Sequence, residues 1–548
     1  MSKIIGIDFG TTNSLASFIN STGNTEIIKD HNGEFLTPSV VAKFNSKLII
    51  GKEAKENIAA FVNGYGIKEI KRRIGSGKKV YFGGQYMEPC EIAALILAKV
   101  KGNAEMYFGE KVEFAVITVP AEFSDVQRKE INRAAEMAGL RVKKIINEPT
   151  AALLTYSRYN STNKKVICYD FGGGTFDVSV ANISDLGVEV IAVGGDRELG
   201  GKDIDKIVFD YFAADLKNKK GITLNKEGEY QLLLEVEKVK ITLSDSTSTA
   251  VSIHSLGTIK GKVPYFKEIN RSTFESLITP IIDRTIISLK NTLDDKNISI
   301  AEINEVVLVG GSSMIPLVKN KLQKLFSNKI KESKNIDSCV AMGAAIEAAN
   351  QMGITLKKKS SILRDVSPFN LGLKVTRDGS SDVFDPIVFK NAPFGEEFSE
   401  KYNTALNNQK TMVLKIYQGN SQWASENEHI TDFEIIGIPQ RPAGSEWVKI
   451  SFKYDENGII NIKARVLSTG AETVHSYKYG YSLKGNEDTS VVDKFMISSD
   501  TKISVNKIKE QLKNEGLSSI AGVVEDCLKY EQKDLLMHEI DRIKGYYD

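Results

Sequence analysis

Asp170-Phe171-Gly172-Gly173-Gly174-Thr175-Phe176-Asp177 is the stretch whose reading decides the fold, and Asp8-Phe9-Gly10-Thr11-Thr12-Asn13 answers it near the N-terminus. The first follows the apolar run Val166-Ile167-Cys168-Tyr169, the second Ile4-Ile5-Gly6-Ile7. Both read as strand, tight acidic-glycine turn, then strand again, with outgoing strands over residues 178–183 and 14–19. Glycine lets backbone N–H groups come close to an anion, and successive N–H groups in such turns form an anion-binding nest. Two such nests face to face could clamp one polyphosphate, with the aspartates holding a hydrated Mg²⁺ between them.

The bulk properties fit a soluble multidomain protein. At 548 residues the chain exceeds one core, while 41% hydrophobic and 26% charged residues are ordinary for a globular protein. A net charge of +2 offers no electrostatic case for nucleic acid or membrane binding. No apolar stretch approaches the ~20 residues needed to span a bilayer. Met1-Ser2-Lys3 runs straight into Ile4 and Asp8, unlike a signal peptide, so the cytoplasm is the expected compartment. Cys90, Cys168, Cys339 and Cys527 are scattered without paired spacing, which favours buried reduced thiols over a disulfide or zinc site.

Along the chain, residues 1–356 alternate strands and helices as in an α/β domain, with helices expected over 90–108, 124–138, 204–216, 230–243 and 271–293. A polar linker is expected over 357–366, containing Lys357-Lys358-Lys359-Ser360-Ser361. Residues 367–484 carry short alternating runs divided by Gly379, Gly419, Asn457-Gly458 and Thr469-Gly470, which predicts a β-sandwich. Residues 485–548 turn helical.

Three further positions could join the phosphate chemistry. Lys71 in Ile70-Lys71-Arg72-Arg73-Ile74-Gly75 is a long-armed cation suited to a γ-phosphate, though taken alone it reads more readily as a solvated surface lysine, as most lysines are. Glu148, followed by Pro149, reads as a helix start, either ordering water near a metal or complementing the helix dipole. Val309-Gly310-Gly311-Ser312 is a strand entering a Gly-Gly turn, open to a flat ring or ribose.

The doubled loop resembles that of actin-like ATPases, in which two related lobes close on a nucleotide. The ordered series Asp8-x-Gly-Thr-Thr, Lys71, Val119-Pro120-Ala121-x-Phe123, Ile146-Asn147-Glu148-Pro149-Thr150, Asp170 to Asp177, Leu199-Gly-Gly-Lys-Asp203 and Val309-Gly-Gly-Ser goes further. It resembles the DnaK-type heat shock protein 70 family, and looser matches continue through Asp365-Val366-Ser367-Pro368, Gln418-Gly419 and Tyr454-Asp455-x-Asn457-Gly458.

The resemblance implies an actin-like ATPase domain, a β-sandwich that binds extended apolar peptide, and a shortened helical lid. It further implies an ATP-dependent chaperone with ATP or ADP, Mg²⁺ and K⁺ as cofactors. Asp8, Asp170 and Asp177 would hold Mg²⁺ through water, with Glu148 beside them and Lys71 orienting the attacking water and stabilising charge on the transferred phosphoryl group. Gly10, Thr11, Thr12, Asn13, Gly173, Gly174 and Thr175 would cradle phosphates, Thr175 counting among the catalytic residues with Lys71, Glu148 and the three aspartates. Gly201, Glu237, Lys240, Ser244, Gly310, Gly311, Ser312 and Met314 would contact the nucleoside; Glu237, Lys240 and Ser244 share one helical face. Pro120 and Arg128 match a relay between the domains. Lys144, Asn147, Thr150 and Asp365 match the surface for a J-domain cochaperone, and a nucleotide exchange factor is a possible further partner. Leu373, Thr376, Tyr402, Met412, Leu414 and Ile416 align with the peptide cleft, although any inward strand face is apolar.

The chain also departs from the family pattern. It is short between Gly75 and Cys90, Arg364 interrupts an apolar linker, Thr376 stands where a methionine often arches over peptide, and Met314 and Ile241 replace polar neighbours of adenine. With the trimmed lid, these features resemble the short bacterial, HscC-like branch. Two other readings stay open at this point: a nucleotide-gated platform with little turnover, and a small-molecule kinase, which would leave the β-domain without a task.

Overall fold

Strand Lys3–Phe9 pairs in parallel with Val112–Val119 and antiparallel with Asn13–Ile19. Strand Lys164–Phe171 repeats that arrangement, parallel to Glu305–Val309 and antiparallel to Phe176–Ser184. The same half-motif therefore occurs twice in the computed structural model, each time at the centre of a six-stranded sheet. The model describes residues 3–45, 47–160, 163–332, 336–354, 356, 362–455 and 458–477, with 524, 525, 528 and 536. The expected lid over 485–548 (but for those four positions), the Lys357–Ser361 part of the linker, the Asn457 turn position and Cys527 lie outside the described residues. Cys90, Cys168 and Cys339 are buried thiols outside any disulfide, as expected.

The central strands are near-continuous runs of Val, Ile and Ala because both their faces are covered. Helix Pro89–Phe108 covers the outer face of the first sheet, in a core with Ile5, Ile7, Val41 and Ile117. Helices Gly201–Lys220, Lys226–Asp245 and Arg271–Asp294 build the second lobe's core against Tyr169, Phe176 and Val306. Helices Glu148–Tyr159 and Cys339–Met352 lie between the sheets, sharing a core with Val116, Val166 and Val193. They cross so closely that a Cβ on Gly343 would stand 1.8 Å from the Ala151 carbonyl oxygen, so only glycine fits there.

The helices differ from expectation mainly at their ends. The stretch expected from 204 starts at Gly201, and the one expected from 230 starts at Lys226, capped by the Asn225 side chain. Polar first turns carry no apolar periodicity, so capping chemistry rather than pattern marks them. The hairpin Ser248–Thr258 with Gly261–Asn270 was missed because its outer face is polar and its apolar residues do not alternate cleanly.

Residues from Asn370 onward form the predicted sandwich, two four-stranded antiparallel sheets around Leu371, Ile416, Val448, Phe452 and Ile462. Trp447–Tyr454 and Ile460–Val466 pair antiparallel, as the Asn457-Gly458 signal predicted. Part of the expected linker carries secondary structure of its own. Ile362–Arg364 is a strand, parallel to Gly187–Asp196, that completes the edge of the second lobe's sheet. Unpaired N–H and C=O groups on a sheet edge attract any extended segment with free backbone, and a short polar composition does not reveal it.

Candidate functional site

The two glycine turns meet tip to tip. A Cβ on Gly173 would lie 2.1 Å from Thr12 Oγ1, and one on Gly174 would lie 2.5 Å from Thr11 Oγ1. Between them is a cavity of about 120 Å³ lined by Asp8, Gly10, Thr11, Thr12, Asn13, Lys71, Glu148, Asp170, Gly173, Gly174, Thr175, Gly310 and Gly311. Residues drawn from widely separated motifs thus share one wall. Asp337 and Val340 line it too, and no sequence signal pointed to them.

Strand ends carry the carboxylates. Asp170 and Asp177 sit directly opposite across the hairpin, and Asp8 is opposite Thr118, whose hydroxyl lies 3.4 Å from Asp8 Oδ1. Glu148 opens its helix just before Pro149. Lys71, on the one-turn helix Ile70–Arg73, is 2% exposed and bonds Glu148 Oε1, so it is not a surface lysine. Burial, then the nearby Glu148 charge, pushes the Asp8 carboxyl up to about 7, against the pull of Lys71. Burial and Glu148 likewise push Asp177 up to about 8 and Asp170 well above the usual range.

Crowded, dehydrated carboxylates of one sign invite a hard cation. Asp177 Oδ2 is buried without a hydrogen-bond partner, while Oδ1 accepts from the Ala121 N–H at 2.8 Å. Among the described residues no three His, Cys, Asp or Glu groups converge as direct ligands. The crowded carboxylates and the unpartnered Asp177 Oδ2 are a donor set that would suit a hard cation.

Arg72, quoted only as Lys71's neighbour, turns out to brace the cradle. Its guanidinium donates to the Gly174 carbonyl at 2.8 and 3.0 Å and pairs with Asp203 at 2.5 Å. The nucleoside candidates are less tightly gathered. Ser312 Oγ donates to the Gly172 carbonyl at 2.9 Å, and Lys240 Nζ reaches Gly201 O at 3.1 Å and Asp205 at 2.7 Å. Glu237 lines a neighbouring cavity of about 480 Å³ and pairs with Lys55 across the lobes at 2.8 Å. Gly201, Lys240, Ser244, Ser312 and Met314 line neither cavity. Ile241 is exposed.

A second set of residues joins this centre to the β-domain. Ala121, whose N–H holds Asp177, follows Pro120. Arg128 donates to the carbonyls of Ala121 at 3.2 Å and Phe123 at 3.0 Å, and to Asn147 Oδ1 at 2.5 Å. Asn147 and Thr150 then donate to Asp365 at 3.1 and 3.3 Å. Asn147 and Thr150 are buried, and Lys144 is paired with Glu347 at 2.9 Å. In this arrangement the three hold the linker and an inter-sheet helix rather than facing outward. Gln418 of the β-domain accepts from the Asp125 N–H at 3.0 Å, Asn391 accepts from the Val193 N–H at 2.9 Å, and Lys390 pairs with Asp295 at 2.9 Å.

Of the peptide candidates, Leu373, Leu414 and Ile416 are buried in the sandwich core. Tyr402 and Met412 are partly open at its margin, Tyr402 donating to Asp385 at 2.8 Å, and Thr376 is exposed.

A family model described as Hsp70 protein matches residues 4–79 and 76–543. The chain is similar to proteins named Chaperone protein DnaK from Thermotoga petrophila, Thermotoga neapolitana and Thermotoga maritima. Each is 34% identical over 552 aligned residues, covering 100% of this chain and 86% of the relative.

Proposed function

The chain belongs to the Hsp70 family, and on that premise we propose how its residues run an ATP-dependent chaperone cycle. The observation that carries the reading is the unbroken run of hydrogen bonds from Asp177 through Ala121, Arg128 and Asn147 to the linker's Asp365. One end of that run sits opposite Asp170, which lines the cavity between the glycine turns, and the other touches the segment that leads to the β-domain.

Phosphoryl transfer depends on positioning and electrostatics more than on covalent help. The backbone N–H groups of the two turns orient the triphosphate. Lys71, fixed by Glu148, places positive charge where the transferred phosphoryl group gains negative charge. Asp8, Asp170 and Asp177 would hold Mg²⁺ through water; when bound, the ion neutralises phosphate charge. Thr175 lines the same cavity and would help to hold the phosphates there. For K⁺ the support is the family resemblance alone. A small-molecule kinase leaves the docked linker and sandwich idle, and a platform without turnover leaves the buried Lys71–Glu148 pair idle.

The clients are extended apolar segments, which would enter at the margin marked by Tyr402 and Met412. A cavity of about 630 Å³ where Glu189, Arg364, Asp365, Pro393 and Phe394 meet supports a J-domain docking place beside the linker. An exchange factor and a cytoplasmic setting complete the proposal; among the described residues no helix is long and apolar enough to cross a membrane. The domain limits 1–356, 357–366, 367–484 and 485–548 stand as part of it, with the linker's last residues acting as a strand. The small hairpin Val80–Phe82 with Gln85–Met87, all that lies between Gly75 and helix Pro89–Phe108, supports the HscC-like branch.

The test is ATP turnover with and without a short, extended apolar peptide. Slow turnover that rises with peptide is expected. Turnover indifferent to peptide would remove the chaperone coupling and leave an ATPase alone.

A further inference from the structure

The second lobe's glycine turn, residues 172–175, has every carbonyl engaged. Gly172 O accepts from the Gly201 N–H at 3.0 Å and from Ser312 Oγ at 2.9 Å. Gly173 O accepts from the Lys202 N–H at 2.9 Å, and Thr175 O from the Gly172 N–H at 3.0 Å. Gly174 O takes two bonds from Arg72, Nη2 at 2.8 Å and Nε at 3.0 Å. In a trans peptide the C=O and the N–H that follows it point in opposite directions. Holding these carbonyls therefore turns the N–H groups of Gly173, Gly174 and Thr175 the other way, and among the described residues none of the three has a partner. Those three residues line the phosphate cavity, whereas Arg72 lines the neighbouring, larger one. Thr12 Oγ1, which Gly173 faces, is likewise buried without a partner, as a polar atom awaiting a ligand would be.

The Gly174 carbonyl differs from the others in being held from the first lobe. Arg72 belongs to the one-turn helix Ile70–Arg73, and Ile70 and Ile74 on either side of it lie in the first lobe's core. The same guanidinium reaches on to Asp203 of the second lobe, Nη2 to Oδ2 at 2.5 Å and Nη1 to Oδ1 at 3.3 Å. Asp203 is itself fixed, since its Oδ2 also accepts from the Gly200 N–H at 2.7 Å at the start of helix Gly201–Lys220. One planar fork thus serves a carboxylate and a peptide carbonyl at once. An ammonium on a flexible stem could supply the charge but not that geometry.

We propose that Arg72 is a positioning residue that couples closure of the two lobes to phosphate binding, by holding the Gly174 carbonyl so that the Thr175 N–H is presented to the cavity. Opening the cleft carries Arg72 away with the first lobe. The peptide between Gly174 and Thr175 is then free to turn, and the anion nest loses a directed donor. The coupling is reciprocal: a phosphate seated on that N–H favours the closed arrangement in which Arg72 reaches its acceptors. The inference rests on the ATP reading of the same cavity.

The experiment is calorimetric titration of the full-length chain with ATP, ADP and adenosine, comparing the native protein with Arg72→Ala and Arg72→Lys. Arg72→Ala is expected to weaken ATP and ADP about tenfold or more, while adenosine, which has no phosphate, stays within roughly twofold. Arg72→Lys, which keeps the charge and loses the fork, should recover only part of that loss. Millimolar guanidinium chloride, set against equal sodium chloride, should restore ADP affinity to Arg72→Ala and leave the native chain unchanged. Thermal melts check that each variant is folded, and Arg72→Lys carries the test if Arg72→Ala is not. ADP and adenosine weakened in equal measure, or native ADP affinity in Arg72→Lys, overturn the proposal while leaving the ATP site intact. A native chain that binds ADP no better than adenosine overturns the phosphate reading of the cavity and this inference with it.

Discussion

At Lys71 the physical question is what a nearly dehydrated ammonium is for. A buried charge needs a partner, and Glu148 supplies it. The pair also leaves the cation against the phosphate cavity, with the Phe9 and Phe123 rings about 6.0 and 5.9 Å from the nitrogen. Lys71→Met is expected to lower kcat about 100-fold or more while leaving ATP affinity within a few-fold, as removal of a transition-state contact does. Single-turnover hydrolysis beside equilibrium binding decides; an equal loss in both would make Lys71 a ground-state anchor. Glu237 makes a different kind of residue prediction. Burial would raise its carboxyl, but the Lys202 and Lys55 ammoniums outweigh that and hold it at about 2, below its ordinary 4.5. A lowered carboxyl contributes stability that is present above 4.5 and lost as pH falls towards 2. Glu237→Gln should therefore destabilise the nucleotide domain by on the order of 2 kcal/mol at neutral pH and progressively less in acid. Urea melts across that range read it, and a penalty independent of pH would remove the ion pair from the account.

At the scale of elements, the linker strand is the most exposed to a single change. Gly187 has φ +142, and a Cβ there would meet Ile362 O at 2.0 Å and Ile362 N at 2.5 Å. Gly187→Ala is expected to block pairing of Ile362–Arg364 with the sheet edge, because neither the backbone conformation nor the space admits a side chain. Amide hydrogen exchange at Ile362, the N–H bonded to Leu186 O at 3.0 Å, should lose its protection, and peptide stimulation should fall while basal turnover persists. Retained protection at that amide would show that the strand docks by another register. The element-level reading of the sequence was strongest in the buried sheets, where runs such as Val166-Ile167-Cys168-Tyr169 leave little choice. It was weakest for the hairpin Ser248–Thr258 with Gly261–Asn270 and for the linker, since an edge strand needs only free backbone and no apolar pattern.

For the molecule as a whole, the contact that fixes the linker between the domains is that of Asp365 with Asn147 and Thr150. Burial raises its carboxyl, opposed by the Val366 N–H, the Arg128 and Lys144 charges and the Thr150 hydroxyl. A carboxyl raised on docking holds its proton more tightly docked than free. Its contribution to docking is therefore fully present below the ordinary 3.8 and is lost as pH rises through the raised value. A pair of fluorophores, one on each domain, should report a docked fraction that falls with rising pH in the native chain. Asp365→Asn, neutral throughout, should flatten that dependence. A native profile already flat would mean that the carboxylate is fully compensated by its donors.

The sequence by itself determined the two-lobed α/β domain and the sandwich and pointed to candidate residues for one site, because glycine turns, acidic strand ends and buried apolar runs are local necessities. Asp8, Asp170, Asp177, Glu148 and Lys71 could be named from short motifs, each of which limits its own backbone. What the tertiary structure alone decided is which side chains meet: Arg72 on Gly174, Glu237 on Lys55 across the cleft, Asp365 on Asn147 and Thr150, and the linker as a strand. Those pairings join residues as many as 218 positions apart. They depend on how packed lobes set distances and exclude water, and no window of sequence records either.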